Sequence, residues 1–226
     1  MNLFNGTRYK LYVEQFKEVG NASENMINLG FDFRHYQKIH RQIIFASRVA
    51  GSSSIAKQKV MYYLGGVDSW LIPRFNNEIQ IDRNRSYKYQ ALATNMRGFT
   101  QNIRNGNNFL VINTELRIPV FAYLLNRPIK SDFVKNFQLM PFADLGAAWV
   151  GSDPFSYENR FNRIEVQGDP VNVVAIQSKF PIVGGYGWGA RSRLLGYFIR
   201  FDMAWGVQNS MIAEKPVYYV SLSLDF

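Results

Sequence analysis

Cysteine is absent from the 226 residues, which excludes disulfides and thiolate chemistry. Histidine occurs only at His35 and His40; in an extended strand that spacing puts the two rings on opposite faces, so no metal site is expected. No apolar run approaches the ~18 residues of a membrane helix, and the longest candidates, such as "IPVFAYLL" at 118–125, are of strand length. A helical membrane protein is thereby excluded. The opening "MNLFNGTRYKLYVEQF" has no basic segment followed by an apolar one and is not a secretory signal. Basic runs are missing too: the net charge of +9, from 26 Lys and Arg against 17 Asp and Glu, is scattered along the chain, so no nucleic-acid partner is expected. Gly-x-Ser-x-Gly, P-loop and His-Glu-x-x-His motifs do not occur, and "GGYGWG" at 184–189 reads as space on a strand face, not as a phosphate cradle. A lipase built on Ser221 or Ser223 would lack a strand-borne histidine. The expectation is a chain that is not an enzyme and takes no cofactor.

Apolar alternation is what the sequence does have. With 47% hydrophobic and 15% aromatic residues, the chain is too apolar to be disordered. Read at period two, its last ten residues, "VYYVSLSLDF", put Tyr218, Val220, Leu222, Leu224 and Phe226 on one face against Tyr219, Ser221, Ser223 and Asp225. Residues 196–206 set Tyr197, Ile199, Phe201, Met203 and Trp205 against a face bearing Arg200 and Asp202. Residues 181–194 alternate aromatics with Gly185, Gly187 and Gly189. The stretches 137–149, 109–120, 41–51, 26–36 and 7–16 follow the same pattern. Eight strands are predicted, all antiparallel.

In a soluble sandwich the outward faces carry many Lys, Glu and Thr. These polar faces instead carry Arg, Asp, Glu, Gly and Asn, while Trp149 and Trp205 stand near the ends of the apolar stripes. Lipid-facing apolar residues, a polar glycine-rich lumen and aromatic girdles define a transmembrane β-barrel. Connections of unequal length, the long ones at 61–106, 123–136 and 150–179, agree with short turns on one side and long loops on the other.

The long loop 61–106 contains "YLGGVDSWL" (63–71) and "MRGF" (96–99), followed by "NTELR" (113–117), "FADLG" (142–146), two more strands and a terminal Phe. This ordered set resembles the end of the bacterial surface antigen superfamily, outer-membrane barrels of about sixteen strands of the BamA, TamA and two-partner-secretion type. The resemblance implies that the loop folds into the lumen and that Arg97, Gly98 and Phe99 dock against Phe142, Asp144 and Gly146; Met96 stands where the family has valine. Asp144 falls on the polar face, where a guanidinium can engage it bidentately. Glu115 and Arg117 point into the same lumen and extend the network.

An eight-stranded barrel is filled by its own side chains, so a lumen-directed loop implies a larger one. The chain is therefore expected to be a single barrel domain over 1–226, the carboxy-terminal half of the barrel, truncated at its N-terminus. The resemblance also implies a bacterial outer-membrane location and a carboxy-terminal assembly signal at Leu222, Leu224 and Phe226. The implied role is protein assembly or translocation, or anchoring of a periplasmic part that is missing here. Its partners would be membrane lipid, the outer-membrane assembly machinery and unfolded outer-membrane protein clients. A passive porin-like or structural barrel is the alternative.

Overall fold

The computed structural model describes residues 5–17, 25–79, 81, 87–125, 128–156, 159, 163–166, 173–176 and 180–223. Eight long strands form its main sheet: β1 (Gly6–Lys17), β2 (Asn25–His40), β3 (Ile43–Ile55), β7 (Asn108–Arg117), β8 (Gln138–Trp149), β11 (Val183–Leu194), β12 (Tyr197–Gln208) and β14 (Val217–Ser223). With the two-residue β13 (Met211–Ile212) they make a nine-stranded sheet in which β1, β2, β3, β7, β8, β11 and β12 are successive neighbours and β13 and β14 both pair with β12. Every pairing in it is antiparallel. Among the described residues no ladder joins β1 to β14, so the sheet is open. No described helix is long and apolar enough to cross a membrane, which says nothing of strands.

Burial along these strands is inverted relative to a water-soluble sheet. On β8, Gln138, Met140, Phe142 and Asp144 are buried while Leu139, Ala143 and Leu145 are exposed. The apolar set stays uncovered across the whole sheet, from Leu11 at 77% exposure on β1 through Phe31, Leu110 and Trp188 to Tyr218 on β14. The register explains the continuity: Leu11 lies opposite Phe31, Phe31 opposite Gly51, and Gly51 opposite Leu110. We call this the open face and its opposite the covered face.

The segment between β3 and β7 provides the cover, and it is more ordered than a plain loop. It contributes β4 (Lys59–Leu64), β5 (Tyr87–Leu92) and β6 (Arg104–Gly106), with β4 parallel to β5 and antiparallel to β6. Tyr62, Leu64, Met96 and Phe99 from this segment pack with Phe109, Val111, Ala148 and Val183 of the wall, so the main apolar cluster lies between loop and sheet. A further hairpin pairs β9 (Arg163–Val166) with β10 (Val173–Ile176).

At the other end of the sheet, "IPVFAYLL" departs from its strand-length reading. Strand β7 stops at Arg117, Ile118 makes one bridge to Leu139, and the chain then forms α1 (Val120–Leu124) and α2 (Asp132–Lys135). Pro119 is the cause: it has no N–H for the ladder and its fixed φ suits a helix start. Ser131 caps α2 by accepting from the Val134 amide.

Candidate functional site

The loop tip, Met96 to Phe99, sits against β8, β12 and β14. Gly98 has φ +99, and a Cβ there would lie 2.8 Å from the Trp205 carbonyl oxygen and 2.9 Å from Gly206 Cα. Only glycine fits that conformation at that distance. The turn aims Arg97 at the wall. Its Nε donates to Asp144 Oδ2 and its Nη2 to Oδ1, both at 2.6 Å, and its backbone N–H donates to Oδ2 at 3.1 Å. Asn113 Nδ2 donates to Oδ1 at 2.9 Å, so the carboxylate is fully engaged.

The other two wall residues have equally definite parts. Arg97 Cζ stands 3.6 Å from the Phe142 ring centroid, giving a stacked cation–π contact. Gly146 forms the floor beneath Met96, whose Sδ would be 3.1 Å from a Cβ placed there. Glu115 joins three guanidinium groups: Arg117 at 2.6 Å, Arg200 at 3.1 Å and Arg97 at 3.4 Å. Arg200 in turn donates to Asp202 at 2.7 Å. Burial works against the charge on Arg97, but the attraction and hydrogen bonds of Asp144 outweigh it and hold the guanidinium above its ordinary range.

Magnitudes separate holding from positioning. Each large side chain buried between loop and wall contributes about 1.5–3 kcal/mol. The desolvation of a buried ion pair cancels most of its attraction. The apolar cluster therefore holds the loop down, and the Arg97–Asp144 pair fixes where its tip lies.

Sequence reasoning passed over several participants. Tyr219 accepts a hydrogen bond from the Gly98 amide at 2.9 Å and donates its hydroxyl to the Phe99 carbonyl at 2.8 Å, while its ring lies 4.8 Å from that of Trp70. The Leu71 amide donates to the Val220 carbonyl at 2.9 Å, so the loop also pairs with the last strand. Tyr219, Arg200 and Asp202 were visible only as members of polar faces; period two gives a face and no partner. Of the expected assembly signal, Leu222 lies on the open face, and Leu224 and Phe226 fall outside the described residues.

Beside the tip lies a cavity of about 390 Å³ whose charged lining residues are Arg8, Arg34, Arg48, Arg97, Arg117 and Arg200 with Asp68, Glu115 and Asp202. Asp32 takes both Arg34, at 2.8 Å, and Arg48, at 2.6 Å. Six arginines against three carboxylates leave the lining of the cavity with an excess of positive charge. His35 and His40 do not meet: the first pairs with Thr7 at 2.9 Å and the second with Tyr123 at 3.3 Å. Among the described residues no group of three His, Asp or Glu is placed to hold a metal.

No family model, curated protein or solved structure matches the chain.

Tyr219→Phe tests the fastening of the tip. The ring and its tilted contact with Trp70 remain, but the Gly98 amide and the Phe99 carbonyl lose their buried partner, which costs about 1–3 kcal/mol. The expected result is a lower unfolding midpoint together with faster amide exchange at Gly98. Unchanged exchange at that amide would show that the hydroxyl does not hold the tip.

Proposed function

We propose that this chain is an integral β-barrel domain of the surface-antigen type in the bacterial outer membrane. Through its lumen loop it serves outer-membrane protein insertion or translocation, or anchors a periplasmic part. The observation that carries this reading is the inverted burial. Arg97 and Asp144 are 3% and 1% exposed where the loop tip meets the wall, whereas Leu11 and Trp188 stand 77% and 58% exposed on the other face. In water such a continuous apolar face is a liability; against hydrocarbon it is the stable arrangement. A strand of 12 residues such as β8 is about 40 Å long and, tilted by about 45°, covers about 28 Å of depth. The meeting of Arg97, Gly98 and Phe99 with Phe142, Asp144 and Gly146 supports the surface-antigen reading, because that docking is what the motif resemblance implies.

In this reading the covered face is the lumen, lipid surrounds the open face, and the partners are the outer-membrane assembly machinery and unfolded outer-membrane protein clients. A passive barrel with a plugged lumen is the second reading, favoured by the polar cavity left beside the tip. Planar-bilayer conductance combined with a client-assembly assay separates the two, with Arg97→Ala compared against the parent. Loss of client assembly in Arg97→Ala supports the first reading. A steady pore indifferent to Arg97 supports the second. A chain that stays monodisperse without detergent would overturn both.

A further inference from the structure

Three segments meet at the turn end of the main sheet: the β2–β3 turn, the α1–α2 segment and the β11–β12 turn. Tyr123 joins the first two, with its hydroxyl 3.3 Å from His40 Nδ1 and its ring centroid 5.5 Å from Arg41 Cζ. Ser192 joins the last two by donating its hydroxyl to the Phe133 carbonyl. The result is one continuous surface.

Leu195 is its most telling residue. The β11–β12 turn has only Leu195 and Gly196 between paired Leu194 and Tyr197, at φ +52 and +88. Such two-residue turns take Asn-Gly or Asp-Gly in water, because a side chain other than Gly or Asn is strained at positive φ. Leucine here is disfavoured by its backbone and also by its 90% exposure. Leu124 and Ile39 are exposed nearby, at 69% and 58%.

The same three segments carry exposed cations. Lys38, Arg41, Lys130, Lys135 and Arg193 are all exposed, and Asp132 is the one carboxylate in the described parts of the three segments. The loop end of the sheet is mixed by contrast, with Glu78, Asp153 and Glu214 exposed among Lys57, Arg74 and Lys215. Apolar tips on segments rich in exposed Lys and Arg match a leaflet surface that is greasy just beneath its anionic headgroups.

We infer that the turn end is a docking surface for anionic phospholipid: Leu195 and Leu124 enter the headgroup boundary, and the exposed Lys and Arg pair with the phosphodiesters. This rests on the membrane-spanning reading, since strands that cross a bilayer bring their turns to its surface.

Because the chain has no cysteine, Leu195→Cys gives a single labelling site. The labelled chain is reconstituted in phosphatidylcholine–phosphatidylglycerol vesicles in which either one lipid or the other is brominated. Brominated phosphatidylglycerol is expected to quench the label about five-fold more per mole than brominated phosphatidylcholine. K130Q/K135Q/R193Q is expected to remove that preference. Tryptophan emission, to which open-face Trp188 contributes, reports insertion independently. Absence of tryptophan quenching by either lipid overturns the membrane-spanning reading and this inference together. Tryptophan quenching with equal label quenching by the two lipids, or a preference unchanged in the triple variant, overturns this inference alone. Tryptophan quenching with an unquenched label also overturns it, leaving the surface in water for an acidic protein partner.

Discussion

Arg97→Ala is expected to cost about 3–5 kcal/mol of folding stability, the range for breaking a buried ion pair, and to free the loop tip. The cost comes mainly from what remains behind. Asp144 would keep only the Asn113 amide and the backbone N–H of position 97 as partners, in a site where its side chain is 0% exposed. Glu115 would still hold Arg117 and Arg200, so the damage stays local to the tip. Arg97→Ala combined with Asp144→Asn is therefore expected to be more stable than Arg97→Ala alone, because the uncompensated charge is gone. Guanidinium unfolding midpoints in detergent micelles measure both. Strictly additive effects of the two substitutions would mean that the pair does not act as a unit.

The second large effect is expected from two adjacent glycines. A Cβ on Gly185 would stand 1.9 Å from the Arg97 carbonyl oxygen and 2.9 Å from its carbon, both backbone atoms that cannot rotate away. Gly185→Ala is therefore expected to lift the tip and cost about 1–3 kcal/mol as overpacking. At Gly184 the nearest atom is 3.4 Å away at the end of the Leu145 side chain, so Gly184→Ala is expected to stay within about 0.5 kcal/mol of the parent. Limited proteolysis after Arg97, together with the unfolding midpoint, reads the difference. Equal protection of the two variants would show that the tip does not rest on β11.

The sheet was legible because one simple rule governs it. Alternation placed Leu139 and Leu145 on one face and Phe142 and Asp144 on the other, and the same rule located all eight long strands. That the polar side would be the buried one required the further observation that its residues are Arg, Asp and Gly, types that suit a crowded covered space more than bulk water. Single segments then limited what could be read. "KVMYYL" is a short apolar run without alternation; it is buried from Val60 onward and forms the middle strand of the loop's own sheet, a pairing with β5 that no local signal announces. The helix at Val120–Leu124 follows from Pro119, a signal that was present and outweighed by the apolar run. Arg97 and Asp144 could be brought together from the order of motifs. Tyr219 could not, because the contact that defines it depends on the path of the loop.

Tyr219 stands 121 residues after Gly98 and 120 after Phe99, so the tip backbone is fastened by a contact between distant parts of the chain. Every arginine and carboxylate of the tip network precedes β14 in the chain, so a polypeptide halted before residue 217 already holds all of those charges. It lacks the one hydroxyl that clasps the tip backbone on both sides of a peptide unit. A chain shortened by β14 would therefore keep the charges of the tip network and lose the hydroxyl that bridges the Gly98 amide and the Phe99 carbonyl.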